Sequence, residues 1–154
     1  MSFEALLREV AKGVETADGA RVAAAFAEDG VYRDVFYGDF RGRAAIREMV
    51  EERFHRDGEA FRWEMFDVVE GEGRGYARYL FSYLPKRPEA TGRVVFEGIV
   101  SARLSGGLIL DYDEVAEAAV ALSSLGTEDA RLAAWVAKRA ECLRGRPDAA
   151  RHLR

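Results

Sequence analysis

Apolar residues recur at helical spacing from the start of the chain. Phe3, Leu6, Leu7, Val10 and Val14 share one face of a predicted helix over residues 3–14. Asp18 stands where an N-cap belongs, ahead of a shorter helix predicted over Ala20 to Ala27, with Val22, Ala25 and Phe26 inward and Asp29-Gly30 ending it. Val31 to Tyr37 is rich in β-branched and aromatic residues and reads as a strand, and Gly38 to Gly42 reads as a loop. Arg43 to Arg56 carries an inward stripe of Ile46, Met49, Val50, Arg53 and Phe54, and Asp57-Gly58 stops it.

The hydrophobic period then shortens to that of a strand. Phe61 to Val69, Tyr76 to Leu84, Arg93 to Leu104 and Leu108 to Val115 read as four strands. Glycine-rich turns at Gly71 to Gly75 and Ser105-Gly106-Gly107, and a connection over Pro88 to Gly92, join them. Such short connections make neighbouring strands antiparallel. After Glu114 the helical pattern returns. Thr127 is an N-cap candidate, Leu132, Val136, Ala140 and Leu143 form a stripe with Trp135 beside it, and Gly145-Arg146-Pro147 closes the segment. The expected fold class is α+β: a curved antiparallel (mixed) sheet wrapped around a long helix as a cone, with three helices in the N-terminal half and a C-terminal helical extension. The division expected is a domain over 1–122, then an extension with a basic tail over 123–154. A funnel between sheet and helix is the expected ligand site.

Composition narrows the function classes. The 154 residues suit one core, and a net charge of -4 gives no electrostatic footprint for nucleic acid. No apolar run approaches the roughly 18–20 residues that span a bilayer, and Met1-Ser2-Phe3-Glu4 does not open a secretory signal. Cys142 is alone, so no internal disulfide forms, and a cytoplasmic location is expected. His55 and His152 lie in no ligand-spaced cluster, and Gly71-Glu72-Gly73-Arg74-Gly75 lacks the ending of a phosphate loop, so neither metal nor cofactor is expected.

Asp34 is the leading candidate for chemistry. An aspartate within an aromatic strand is costly to bury. Aimed into an apolar funnel, it acquires a raised pKa and becomes a better base. The alternative is an ion pair with Arg33, Arg41 or Arg43, or exposure at a strand end. Asp111 is the second catalytic candidate. It shares a strand face with Asp113, while Tyr112 faces the other way. The candidate ligand-binding residues are Tyr32, Phe36, Tyr37, Trp63, Met65, Tyr79, Phe96 and Val100, whose apolar and aromatic area suits a flat ligand.

The motifs also carry a resemblance. Phe26-Ala27-Glu28-Asp29-Gly30-Val31-Tyr32-Arg33-Asp34, then Phe40-Arg41-Gly42-Arg43-Ala44-Ala45-Ile46, and later Gly106-Gly107-Leu108-Ile109-Leu110-Asp111-Tyr112-Asp113, resemble nuclear-transport-factor-two-like domains. Within that superfamily the chain is similar to ketosteroid isomerases, SnoaL-like polyketide cyclases and limonene-epoxide hydrolases. The resemblance puts Asp34 where the isomerases keep a general base. It puts Val10 and Val100 where they keep oxyanion donors, so a donor has to come from elsewhere, with Tyr32, Tyr37, Tyr79 and Tyr83 as candidates. Asp111 matches the water-activating aspartate of the epoxide hydrolases, but Ala77-Arg78-Tyr79 lacks the carboxylate of their Arg-x-Asp pair. The implied function is a cofactor-free isomerase or cyclase acting on a small apolar carbonyl compound. The alternative is a non-catalytic binding or dimerising module. Under either, a homodimer through the convex sheet face is expected, with no nucleic-acid or membrane partner.

Overall fold

Ser2 caps helix α1 (Phe3–Glu15), its hydroxyl accepting from the Ala5 N–H at 3.3 Å, and the whole predicted apolar face of this helix is buried. Asp18 caps α2 (Gly19–Ala24) by accepting from the Arg21 N–H at 2.9 Å. That helix ends earlier than its local pattern predicts. The Ala25 carbonyl accepts from the Ile109 N–H at 3.0 Å, and strand β1 (Phe26–Asp34) begins at once. Pairing with a distant strand overrides the helical spacing of Val22, Ala25 and Phe26.

The chain turns at residues 35–37 and returns as β2 (Gly38–Arg41), paired antiparallel with β1 from Val31↔Arg41 to Asp34↔Gly38. The predicted loop is thus a short edge strand, and Phe36 and Tyr37 sit in the turn instead of the strand. Helix α3 (Gly42–Glu48) runs on through a π-helical stretch, Met49–Phe54, into a last turn, α4 (His55–Asp57). Ile46, Met49, Val50 and Phe54 are buried along it.

Four long strands follow: β3 (Gly58–Gly71), β4 (Arg74–Pro85), β5 (Val94–Ser105) and β6 (Leu108–Ala116). They form antiparallel neighbours, while β1 joins β6 in parallel, giving the order β2-β1-β6-β5-β4-β3. Register shifts between Glu59 and Arg62 and between Phe66 and Val69 bend β3, with Ala60 and Asp67 in the left-handed region at φ 50° and 51°. Bulges of this kind increase twist and curl a sheet over its core. The result is the expected α+β architecture with one mixed, unclosed sheet. The computed structural model describes every residue except Thr91, which lies in the predicted Pro88–Gly92 connection and so falls outside the described residues.

Beyond the sheet come α5 (Ala118–Ser124), α6 (Asp129–Arg144) and a 3₁₀ turn, Pro147–His152. The stripe predicted on α6 does not enter the core. No residue of α6 is buried, and Val136 and Leu143 are 46% and 58% exposed. The core cluster is built by α1, α2, α3 with its π-helical continuation, and the sheet, and beyond the sheet it takes in Ala121 and Leu125, with Leu122 packed against it. Among the described residues no helix is long and apolar enough to cross a membrane.

Candidate functional site

The inner face of the curled sheet, the β1–β2 turn and the end of the long helix enclose a cavity of about 290 Å³. Its walls are mostly rings: Tyr32 from β1, Phe61 and Trp63 from β3, Tyr79, Phe81 and Tyr83 from β4, and Phe96 from β5. They pack edge to face at several points, as Trp63 does on Phe81 at 5.1 Å between centroids and Phe36 on Phe96 at 5.7 Å. Alternation along each strand brings these residues to one face.

Two carboxyls interrupt this apolar lining at its inner end, and a third, Asp57, stands at the mouth. Asp34 closes β1, and its Oδ1 accepts from the backbone N–H groups of Phe36 and Tyr37, both at 2.8 Å. This local turn motif explains why an aspartate ends the strand. Its Oδ2 has no hydrogen-bond partner, and no cation pairs with it, among the described residues. Burial pushes the Asp34 pKa up, and the two backbone donors only partly oppose that.

The other carboxyl is Glu114 of β6, two residues beyond Tyr112 and on the same face. Tyr32 Oη donates to its Oε1 at 2.9 Å, and Tyr79 Oη to its Oε2 at 3.2 Å. Burial, then the charge of Asp34, raises the Glu114 pKa to about 8 against the pull of its hydrogen bonds. Both carboxyls face the hollow yet are surrounded by protein, so they keep some solvent access while losing most of their hydration. At neutral pH Glu114, raised to about 8, carries a proton, and Asp34 too is raised above the ordinary carboxylate value by its burial. The hydroxyls of Tyr32 and Tyr79 are held well above the ordinary tyrosine range by the same burial, then by the Glu114 charge, and remain protonated.

Tyr112 stacks on Tyr32 at 4.5 Å, and its buried hydroxyl is unpaired. The indole N–H of Trp63 is likewise buried without a partner. At the outer end of the cavity Tyr37 donates to Asp57 at 2.6 Å. Asp57 also pairs with Arg56 at 2.7 Å, and that bond, the largest cause, lowers its pKa to about 2.

Of the sequence candidates, Asp34, Tyr32, Phe36, Tyr37, Trp63, Tyr79 and Phe96 line this cavity. Three do not. Asp111 lies on the opposite face of β6, where Arg33 holds its Oδ1 at 3.1 Å and Arg103 its Oδ2. Its pKa is lowered by those two partners despite the opposing cost of burial. The physical reason is the strand period: with Tyr112 turned inward, Asp111 has to face out. Val100 is wholly buried in the core beneath the cavity wall, and Met65 packs half-buried against the core without reaching the hollow. Glu114 is the residue that sequence reasoning missed. The parity that separates Asp111 from Tyr112 also returns position 114 to Tyr112's side, and that signal was available.

A curled sheet closed over a helix around one ring-lined hollow defines the cone-shaped α+β class. The family model of the SnoaL-like domain matches residues 7–112, and the chain belongs to that family. Among solved structures, a Catenulispora acidiphila protein with a ketosteroid isomerase-like fold, in complex with trimethylamine, matches at TM-score 0.72 and 16% identity, over 80% of this chain and 93% of that one. An LEH-like epoxide hydrolase of M. tuberculosis matches at TM-score 0.63 and 15% identity, over 79% and 86%. A proposed polyketide cyclase of Xanthomonas campestris matches at 0.56 and 17%, over 72% and 87%. No curated protein matches the sequence significantly. At these identities the likeness is one of fold, and the fold hosts several chemistries.

Proposed function

We propose that this protein binds a small, flat, carbonyl-bearing molecule in the ring-lined cavity and moves a proton on it, as an isomerase or cyclase does. The observation that carries the reading is the pairing of two unlike carboxyls on one apolar hollow: Asp34 with a free Oδ2, and a protonated Glu114 wired to two tyrosines. Environments that push two titratable groups apart assign one as base and one as acid.

In this reading Asp34 Oδ2 takes the proton from the carbon beside the carbonyl. The released electron pair forms the C=C bond, and charge gathers on the carbonyl oxygen. The protonated Glu114 carboxyl donates a hydrogen bond to one tyrosine oxygen and keeps its proton, which frees that tyrosine's own O–H to donate a hydrogen bond to the ligand oxygen. Tyr79, with the longer bond, is the better placed to turn. Tyr79 thereby supplies the donor that Val10 and Val100 cannot. The orphan N–H of Trp63 is a further donor in the same wall. A ligand acceptor that paired it would relieve a cost of about 1–3 kcal/mol.

The test is α-proton exchange of 2-tetralone in D2O, read by proton NMR. The wild type is expected to accelerate exchange by about 10²-fold or more. Asp34→Asn keeps an oxygen for the two backbone N–H groups, so the turn survives while the base is lost. Its exchange is expected to fall to background with 2-tetralone still bound. Unchanged exchange in that variant would remove Asp34 from the chemistry.

A second reading, a non-catalytic binding or dimerising module, is favoured by the apolar Val10 and Val100 at the donor positions. It predicts binding of 2-tetralone with no exchange by the wild type. Both readings include a second copy of the chain as partner. The outer sheet face carries Leu80, Val95, Ile99 and Val115 exposed, Ile99 and Val115 as direct register partners. Arg78 and Glu97 stand among them at 3.8 Å, opposite charges that a two-fold axis can pair between copies.

A further inference from the structure

Polar groups around the cavity are sorted by charge. The inner end holds Asp34 and Glu114. The mouth holds Arg87, which lines the cavity, is exposed, and forms no ion pair among the described residues. The other acid there, Asp57, is already saturated by Arg56 at 2.7 Å and by the Tyr37 hydroxyl at 2.6 Å. Arg87 is close enough that its charge acts on both Asp57 and Tyr83, yet it is bound to neither.

Its backbone is held in place. Lys86 N–H donates to Asp57 O at 2.9 Å, and Lys86 Nζ to His55 O at 2.7 Å, tying the start of the loop to α4. The Ala90 N–H donates to Arg87 O at 3.2 Å, closing a turn whose second residue is Pro88, the position proline prefers. Arg87 is thus a free guanidinium on an anchored loop. The outer sheet face offers a contrast. There Arg33 and Arg103 are engaged by Asp111 and Asp113, so they have little fork left for a ligand.

We propose that Arg87 is a specificity residue that reads a carboxylate on the outer end of the ligand. The substrate class would then be small aromatic acids, with the reacting oxygen at the inner end and the acid group at the mouth. This deepens the proposed function and rests on the cavity being a ligand site. A guanidinium fork matches a carboxylate in two parallel bonds. A cavity of about 290 Å³ is at the small end for ligands, so a one- or two-ring body fills it and leaves a substituent at the mouth.

The experiment is calorimetric titration of the full chain with 6-hydroxy-2-naphthoate and with its methyl ester. The two probes share the ring and the inner hydroxyl and differ at the far end in charge and by one methyl group. The acid is expected to bind about tenfold tighter than the ester at low salt. Arg87→Gln, at an exposed position, is expected to erase that difference while leaving the ester's affinity within about twofold. Equal affinities in the wild type, a tighter ester, or a preference that survives Arg87→Gln would overturn the role of Arg87 and leave the cavity reading standing. Failure of both probes to bind would overturn this inference together with the reading beneath it.

Discussion

The Tyr79 ring lies across Gly98, where a Cβ would sit 2.6 Å from the tyrosine hydroxyl and 2.7 Å from the Val115 carbonyl. The two residues are partners in the β4–β5 register, and the missing side chain on β5 lets Tyr79 pass over that strand to reach Glu114 on β6. Gly98→Ala is therefore expected to push Tyr79 aside and break its bond to Glu114. Overpacking of this kind costs about 1–3 kcal/mol. The check is a lowered Tm together with slower 2-tetralone exchange. An alanine variant with full exchange would show that Tyr79 does not hold the working position.

Glu114 makes stability depend on pH in an unusual direction for a carboxylate. Its ordinary value is 4.5 and its folded value about 8, so between these the folded chain holds a proton that the unfolded chain has lost. The stabilising contribution is full below about pH 4.5 and is lost as pH rises toward 8. At about 1.4 kcal/mol per pKa unit, the loss is on the order of 3–5 kcal/mol. Denaturant unfolding at pH 5 and pH 8.5 is expected to show this drop in the wild type. In Glu114→Gln the drop is expected to shrink to what the other groups impose. A wild-type curve that is flat over this range would mean that Glu114 ionises near its ordinary value.

Much of the fold was legible because long amphipathic segments are local. The stripe from Phe3 to Val14 and the alternation from Tyr76 onward needed no tertiary knowledge. The failures cluster where distant pairing decides. Ala25 and Phe26 look helical until Ile109 claims the Ala25 carbonyl, and residues 38–41 look like a loop until Val31 to Asp34 offer an edge to pair with. The same holds at the site. Asp34 stood out because its neighbours are aromatic. Glu114 did not, because its burial comes from Tyr32 and Tyr79, which are far from it in sequence.

Leu80, Val95, Ile99 and Val115 leave apolar side chains in water around the Arg78–Glu97 pair, with Val115 80% exposed and Ile99 51%. A dimer formed through this face is expected by light scattering at micromolar concentration. Ile99→Arg sets two like charges near the two-fold axis and is expected to give monomers that keep the wild-type circular dichroism spectrum. A wild-type monomer, or an undisturbed Ile99→Arg dimer, would move the interface elsewhere.

Trp135 separates ligand contact from stability. It lines the cavity, but it comes from a helix with no buried residue, joined to α5 across Gly126, whose φ is +70°. Among the described residues its ring also carries a cation–π contact from Arg139 at 5.9 Å. Removing the indole therefore leaves the core packing as it was, and Trp135→Ala is expected to change unfolding free energy by no more than about 0.5 kcal/mol. Trp63 is the contrast: 5% exposed and packed on Tyr79 and Phe81, it is expected to cost about 3–5 kcal/mol when cut to alanine. On the binding side, under the proposed reading, the half-buried Trp135 ring offers the cavity area that a ligand can cover. Its loss is expected to weaken 2-tetralone binding about threefold to tenfold, since a half-covered aromatic face is worth about 1 kcal/mol. Calorimetric titration and chemical denaturation of the same Trp135→Ala sample check both halves. Lost stability with unchanged affinity would place the indole in the core and outside the ligand's reach.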